Sequence, residues 1–113
     1  MKLFMYSKDD AIIQQMLEII DKILSYSEAF SNANDFVADN KSFDATLMNF
    51  IALGEFVSKL SDGIKKGQTE INWIKIHDFR NIIAHDYFGV DEEEVFQIIR
   101  NHLPKLKTDL EQL

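Results

Sequence analysis

The stretch RNIIAHDY, from Arg80 to Tyr87, gathers side chains suited to handling a phosphodiester within about two helical turns. Arg80 could bind a phosphate through parallel N–H donors, and His85 could move protons near neutral pH. Asn81 and Tyr87 add neutral groups that both donate and accept hydrogen bonds. These residue types predict a site that clamps a phosphate and transfers protons on either side of it.

A single helix would present these groups unevenly. Asn81 and His85 would lie one turn apart on the same face, whereas Arg80 and His85 are five positions apart and would point away from each other. A two-fold dimer could bring two copies of the stretch together, so that one cleft holds two arginines and two histidines. We therefore expect one chain to carry half of the site.

The same residues also have ordinary structural interpretations. Arg80 could pair on the helix surface with Asp78 or Asp86. His85 could be a hydrogen-bonded histidine at a helix end. Glu55, in the preceding helical segment, is either a solvated carboxylate or a partly buried anion that orients Arg80. The residues alone leave these alternatives open.

Four long segments with helical periodicity would position the motif, because their apolar residues recur at three- and four-residue steps. The first is predicted to begin at Ser7 and to fade near Ser31. The second begins at about Ser42, and the third carries the motif toward its end. The last begins after Asp91, and Pro104 should kink or restart it.

Shorter features lie between and within these segments. Phe36–Val37 is predicted to be a short apolar plug, and Lys65–Lys66 a turn bracketed by Gly63 and Gly67. Gly54 interrupts the second long segment. Its predicted use is to let another helix approach closely or to leave room for a neighbouring side chain.

No part of the sequence shows the alternation of a β-strand. The 113 residues, of which 46% are hydrophobic, therefore predict a single all-α domain over residues 1–113, an antiparallel bundle of four to five helices. A leftover apolar face would be covered by a second copy in a homodimer.

Charge and composition exclude several classes of function. The net charge of −7 argues against broad electrostatic binding to nucleic acid, so any RNA contact must be local. Without cysteine there is no disulfide or thiolate metal site, and His77 and His102 lack metal-ligand spacing with His85, so neither metal nor cofactor is expected. The apolar run within Met1–Lys8 is too short for a signal sequence, and no later segment approaches membrane-spanning length. We therefore expect a cytoplasmic protein without membrane contact.

The order arginine, asparagine, three residues, histidine, one residue, tyrosine resembles the HepT-like branch of the HEPN superfamily. The resemblance extends to LGEF at 53–56, to INWIKIHDFRNIIAHDYFGVD at 71–91 and to HLPKL at 102–106. Phe96 stands where members of that branch often carry tryptophan, a change that affects packing and not chemistry.

The resemblance implies a metal-independent endoribonuclease, usually the toxin of a toxin–antitoxin pair, whose cleft forms at a homodimer interface. It implies that Arg80 holds the scissile phosphate and that His85 is a general acid or base. Asn81 would position the histidine or the RNA, while Glu55 and Asp86 would support the site. A ribose hydroxyl of the RNA substrate would be the nucleophile.

The resemblance also implies a protein partner. In this branch the antitoxin is a minimal nucleotidyltransferase that adenylylates the motif tyrosine, which is Tyr87 here. Attached AMP would add bulk and negative charge beside the cleft and so repel RNA. The alternative is a non-catalytic binding or substrate subunit of a nucleotidyltransferase complex, which the acidic composition favours.

Overall fold

The computed structural model describes residues 7–113, and this part of the chain is built from helices, which confirms the all-α prediction. The segment Met1–Lys8, discussed above as a possible signal sequence, lies mostly outside the described residues. Within 7–113 no helix is both long and apolar enough to cross a membrane. The elements are α1 (Ser7–Ser27), α2 (Ala33–Ala38), α3 (Asn40–Lys59), α4 (Asp62–Gly67), α5 (Trp73–His85), a 3₁₀ turn (Tyr87–Gly89), α6 (Glu92–Asn101) and α7 (Leu103–Glu111).

Helix α3 is the central element, with α1 packed along one side and α5 along another. The start of α1 lies beside the end of α3, because Asp9 accepts hydrogen bonds from the Ser61 backbone N–H at 3.0 Å and from its hydroxyl at 2.6 Å. These two helices are therefore antiparallel. The fully buried side chains come from α1, α2, α3, α5, α6 and α7, and the largest are Phe36, Met16, Ile20, Ile23, Leu47, Leu53, Ile83, Ile99 and Leu110.

Helix α1 ends at Ser27, about one turn before the predicted fade near Ser31. The Ser27 hydroxyl donates to the Ile23 carbonyl at 2.9 Å, and the Ser27 carbonyl accepts from the Phe30 N–H in a turn. Arg100 of α6 reaches across and donates to the carbonyls of Ser27 and Phe30 at 2.9 and 2.5 Å. A distant arginine thus adds hydrogen-bond donors to two carbonyls at and just beyond the end of α1.

Two predicted connections are short helices. The apolar plug is α2, and the Asn32 side chain caps it by accepting from the Asp35 N–H at 2.8 Å. The lysine turn is α4, which Ser61 caps by accepting from the Ile64 N–H at 3.3 Å. Lys65 then donates to the Val57 carbonyl at 3.2 Å, at the end of α3. Capping by the Ser61 side chain stabilises α4 as a helix although it contains two glycines.

The last segment restarts at Pro104. Asp91 caps α6 by accepting from the backbone N–H groups of Glu93 and Glu94 at 3.0 and 3.3 Å. After His102 the chain enters α7 with Pro104 in its first turn, where the missing N–H would have no helical partner. Of the two predicted effects of this proline, the structure has the restart.

Candidate active site at the end of helix α5

Helix α5 crosses α3 at Gly54, which is buried. A Cβ atom added there would overlap the Cβ of Arg80 and would lie only 2.7 Å from its Cγ. Gly54 therefore leaves the space that the Arg80 side chain occupies, as its interruption of an apolar helix predicted.

Arg80 is held by two neighbours. One terminal nitrogen forms an ion pair with Glu55 of α3, and the other donates to the Asn81 side-chain oxygen at 2.8 Å. Each terminal nitrogen carries a second N–H, whereas Nε is buried without a hydrogen-bond partner. Of the ion pairs considered from the sequence, the structure therefore has the one to Glu55, and not those to Asp78 or Asp86. With 29% of its side chain exposed, Arg80 can still meet a ligand at the surface.

His85 is the last residue of α5 and is exposed. Among residues 7–113 its ring forms no hydrogen bond and no ion pair. Five residues rotate it by about 140° from Arg80 around the helix axis. Asn81 shares the His85 face but bonds to Arg80. One chain thus brings together Arg80, Asn81 and Glu55 and leaves His85 apart from them.

The motif is not one continuous helix. At Asp86 the backbone leaves helical geometry, with φ −146° and ψ 68°, and Tyr87 begins the 3₁₀ turn. The Asp86 carboxylate accepts from the Gly89 N–H at 3.1 Å, and a Cβ on Gly89 would overlap that carboxylate. The contact made by Asp86 is therefore a turn-forming one.

This turn directs Tyr87 back to α3. Its hydroxyl donates to the Asp44 carboxylate at 3.0 Å. The exposed Phe88 ring packs edge-on against the Tyr87 ring, with the two ring centroids 5.5 Å apart. Burial raises the pKa of the Tyr87 hydroxyl, and the hydrogen bond to Asp44 and the charge of that carboxylate raise it further. The phenol is thus held in its neutral, donating form.

Sequence reasoning missed Asp44. It is an exposed aspartate in the second turn of a helix and lies 43 positions before Tyr87, so no local spacing links the two. Only the antiparallel packing of α5 on α3 brings them together.

An apolar groove of about 310 Å³ lies between α5 and the α6–α7 pair. Ile82 of the motif and His102 both contribute to its wall. Among residues 7–113 no three His, Cys, Asp or Glu side chains converge as a metal-ligand group. The apolar lining includes Phe50, Leu53, Ile71, Ile76, Phe79, Ile98, Leu103 and Leu106.

The geometry can be set beside known proteins. A family model described as "Ribonuclease HepT-like" matches residues 16–113. A probable ribonuclease HepT of Thermococcus cleftensis is 28% identical over 100 residues, covering 86% of this chain and 91% of that protein.

More distant relatives match over similar lengths. A putative RNase of Caldanaerobacter subterraneus is 24% identical over 102 residues, 90% of this chain and 87% of its own. A putative RNase of Methanocaldococcus jannaschii is 22% identical over 101 residues, which cover 89% of this chain and 92% of that protein. No solved structure matches the chain. Because the family model covers most of the chain, the resemblance noted in the sequence is confirmed: the chain belongs to the HepT-like ribonuclease family.

Proposed function

We propose that the protein is a metal-independent endoribonuclease whose working site is shared by two copies of the chain. Arg80 holds the scissile phosphate, Asn81 fixes the arginine, and His85 transfers protons. The observation that carries the proposal is the anchoring of Arg80. Its stem fills the space over Gly54, while Glu55 and Asn81 fix its terminal nitrogens. A guanidinium fixed in this way needs little reordering to receive a phosphate.

In the proposed reaction the 2′-hydroxyl of the RNA attacks the adjacent phosphorus, and the bond to the 5′-oxygen of the next nucleotide breaks. One His85 ring takes the proton of the hydroxyl, and a second, protonated ring gives a proton to the leaving oxygen. The nucleophile already lies beside the phosphorus within the substrate, so no metal-bound water has to be generated.

Two copies supply the two histidines. Exposed apolar side chains flank the motif, with 58% of Met48, 54% of Ile82 and 98% of Phe88 accessible. Met48 lies on the face of α3 that also carries Asp44 and Glu55, the residues bonded to the motif. A second copy seated on this surface would cover apolar area and could bring its own His85 to the neighbouring Arg80.

The biological role we propose is that of a cytoplasmic toxin in a toxin–antitoxin pair. A minimal nucleotidyltransferase would transfer AMP to the Tyr87 hydroxyl, at the end of the motif. The attached phosphate would add negative charge beside the proposed cleft to a chain whose net charge is already −7. RNA would then be repelled from the cleft.

The decisive experiment is cleavage of bulk and structured RNA by the purified protein in excess chelator. Removing a positioned acid–base group costs about 10²–10⁴-fold in rate, so His85→Ala should be nearly inactive. His102→Ala is the matched control, since His102 is exposed and makes no side-chain cap for α7. Equal inactivity of the wild type and of His85→Ala would overturn the proposal.

A second candidate is a non-catalytic subunit that binds a nucleotidyltransferase. It is favoured by the Glu55–Arg80 ion pair, because an arriving phosphate must share the arginine with a carboxylate already bound. Intact mass after incubation with the transferase and ATP separates the candidates when it is read together with cleavage. A stable complex without AMP and without RNA cleavage would favour the binding role.

A further inference from the structure

The contact between Tyr87 and Asp44 lies outside the group around Arg80. It joins the turn that follows α5 to the second turn of α3, with Tyr87 Oη 3.0 Å from an Asp44 carboxylate oxygen. Asp44 is exposed, and the hydroxyl lies near the surface, so a reagent can approach from solvent. The pair thus combines a potential nucleophile, a carboxylate and open access.

The turn is built to hold the hydroxyl there. The Asp86 side chain closes the turn on the Gly89 N–H, and Gly89 cannot carry a Cβ without meeting that carboxylate. The Phe88 ring stands against the Tyr87 ring at an interplanar angle of 76°. These contacts limit the positions open to Tyr87 and keep its O–H aimed at α3.

The protonation state matters for chemistry at this oxygen. A tyrosine hydroxyl carries its proton at neutral pH, and the raised pKa of Tyr87 strengthens that preference. A phenol that attacks phosphorus must lose that proton as the new bond forms. The hydrogen bond directs the proton to Asp44, which is already within transfer distance.

We propose that Asp44 is the proton acceptor for nucleotidyl transfer to Tyr87. This inference rests on the proposed modification of Tyr87 by a nucleoside triphosphate such as ATP. Tyr87 Oη forms a bond to the α-phosphorus, and the bond from that phosphorus to the bridging oxygen of the pyrophosphate group breaks. The phenolic proton passes to the Asp44 carboxylate, and pyrophosphate leaves with the electron pair.

The same contact changes once the transfer is complete. The modified oxygen has no hydrogen to donate, and exposed Asp44 returns its proton to solvent. A phosphodiester anion then lies beside a carboxylate, and the two repel each other. The bond that held Tyr87 on α3 is replaced by a repulsion, so the transfer is not favoured to run backwards through the same geometry.

The test compares rates of AMP incorporation by intact mass, using ATP and the nucleotidyltransferase whose co-expression suppresses growth inhibition by this chain. Asp44→Asn keeps the shape of the side chain but cannot accept the proton, and we expect a rate about 10²-fold lower. Asp44→Glu should recover part of the rate. Asp62→Asn is the control, since it removes an exposed carboxylate from the first turn of α4, which follows the opposite end of α3.

A pH profile distinguishes proton transfer from simple positioning. The Asp44→Asn rate should climb steadily with pH as phenolate forms, whereas the wild-type rate should depend much less on phenolate formation, because Asp44 takes the proton as the new bond forms. Asp44→Asn should also keep the helical circular-dichroism spectrum and the thermal unfolding midpoint of the wild type, which would establish that the variant is folded.

The outcomes separate the two proposals. If wild type gains AMP on Tyr87 and Asp44→Asn gains it equally fast, the role of Asp44 is wrong and the modification stands. If wild type gains no AMP, both fall, while chelator-resistant RNA cleavage decides the ribonuclease independently. If AMP is gained but RNA is never cleaved, the ribonuclease falls and Asp44 is judged by its rates alone.

Discussion

Arg80 illustrates what one residue needs before it can act on a substrate. Its guanidinium is bonded to Glu55 and to Asn81 before any RNA is present. Glu55 is 45% exposed, so water weakens this ion pair, and an arriving phosphate can compete with it. The pair therefore orients Arg80 without locking it.

Glu55→Gln should separate orientation from affinity. The substitution keeps a hydrogen-bond acceptor but removes the charge. A hydrogen bond to a charged group contributes about 1.5 kcal/mol or more, which corresponds to roughly tenfold in rate. We expect single-turnover cleavage at saturating RNA to fall about tenfold by this estimate, while RNA affinity, measured by fluorescence anisotropy, stays the same or rises.

The control for this prediction is Glu28→Gln, which removes an exposed carboxylate from the connection after α1. A drop in RNA affinity with unchanged cleavage at saturation would contradict the orienting role of Glu55.

Sequence patterns predicted most residues of the candidate site but not all of the partners that the structure gives them. RNIIAHDY marks Arg80, His85 and Tyr87 through spacing along one segment. Glu55 could be named as one alternative because it follows an unusual glycine within a helix. Asp44 could not, because its partner is set by the three-dimensional packing of α5 on α3.

At the scale of helices, periodicity predicted the long segments because each buries one continuous apolar stripe. The end of α5 was harder to locate. The pattern of apolar residues gives no sign that the helix stops between His85 and Tyr87. The helix ends there because the Asp86 backbone is not helical and because Gly89 leaves room for the Asp86 carboxylate. The sequence did not predict α2 and α4 as helices, because each is short and depends on one capping side chain.

Gly54→Ala tests how closely two helices must approach for the site to form. The added methyl group would meet the fixed Cβ of Arg80, so α5 has to shift away from α3. Overpacking costs about 1–3 kcal/mol, offset by about 1 kcal/mol from the better helix propensity of alanine. We expect a modest fall in thermal stability but a loss of cleavage of tenfold or more.

Gly63→Ala is the matched control, since it also lies in a helix but its Cβ would be 3.8 Å from the nearest heavy atom. It should leave cleavage unchanged. Full cleavage by Gly54→Ala would show that the close crossing is not needed to place Arg80.

At the scale of the whole molecule, the question is how His85 meets Arg80. The two point about 140° apart on α5, and within the described part of the chain Arg80 and Asn81, the other proposed catalytic residues, are bonded to each other and not to His85. The bundle could be predicted from one chain's pattern. A shared site could be inferred only from this angular mismatch, because the interface involves a second molecule.

Mixing two inactive variants tests the shared site directly. Arg80→Ala and His85→Ala are each expected to be inactive alone. Mixed, unfolded and refolded together, they should form heterodimers that keep one Arg80, from one chain, and one of the two His85 rings, from the other. Because one of the two proton transfers is then still served, cleavage should exceed that of either variant alone and stay below that of the wild type. If the mixture stays as inactive as its components, the two residues do not act across an interface.

The recovery should depend on the apolar surface beside the motif. Phe88→Glu in both chains should prevent it and give the solution mass of a single chain, because burying a charge in an interface is strongly unfavourable. Ile74→Glu, which replaces another exposed apolar residue at the far end of α5, should allow recovery.

The close crossing at Gly54 also has a genetic meaning. Every missense change of a glycine codon introduces a Cβ atom, and here that atom always lands on Arg80. In the proposed role as a toxin, escape mutations are therefore expected at this codon as well as within RNIIAHDY. A homologous gene that keeps the motif but encodes another residue at position 54 would then encode an inactive protein, although its motif is intact.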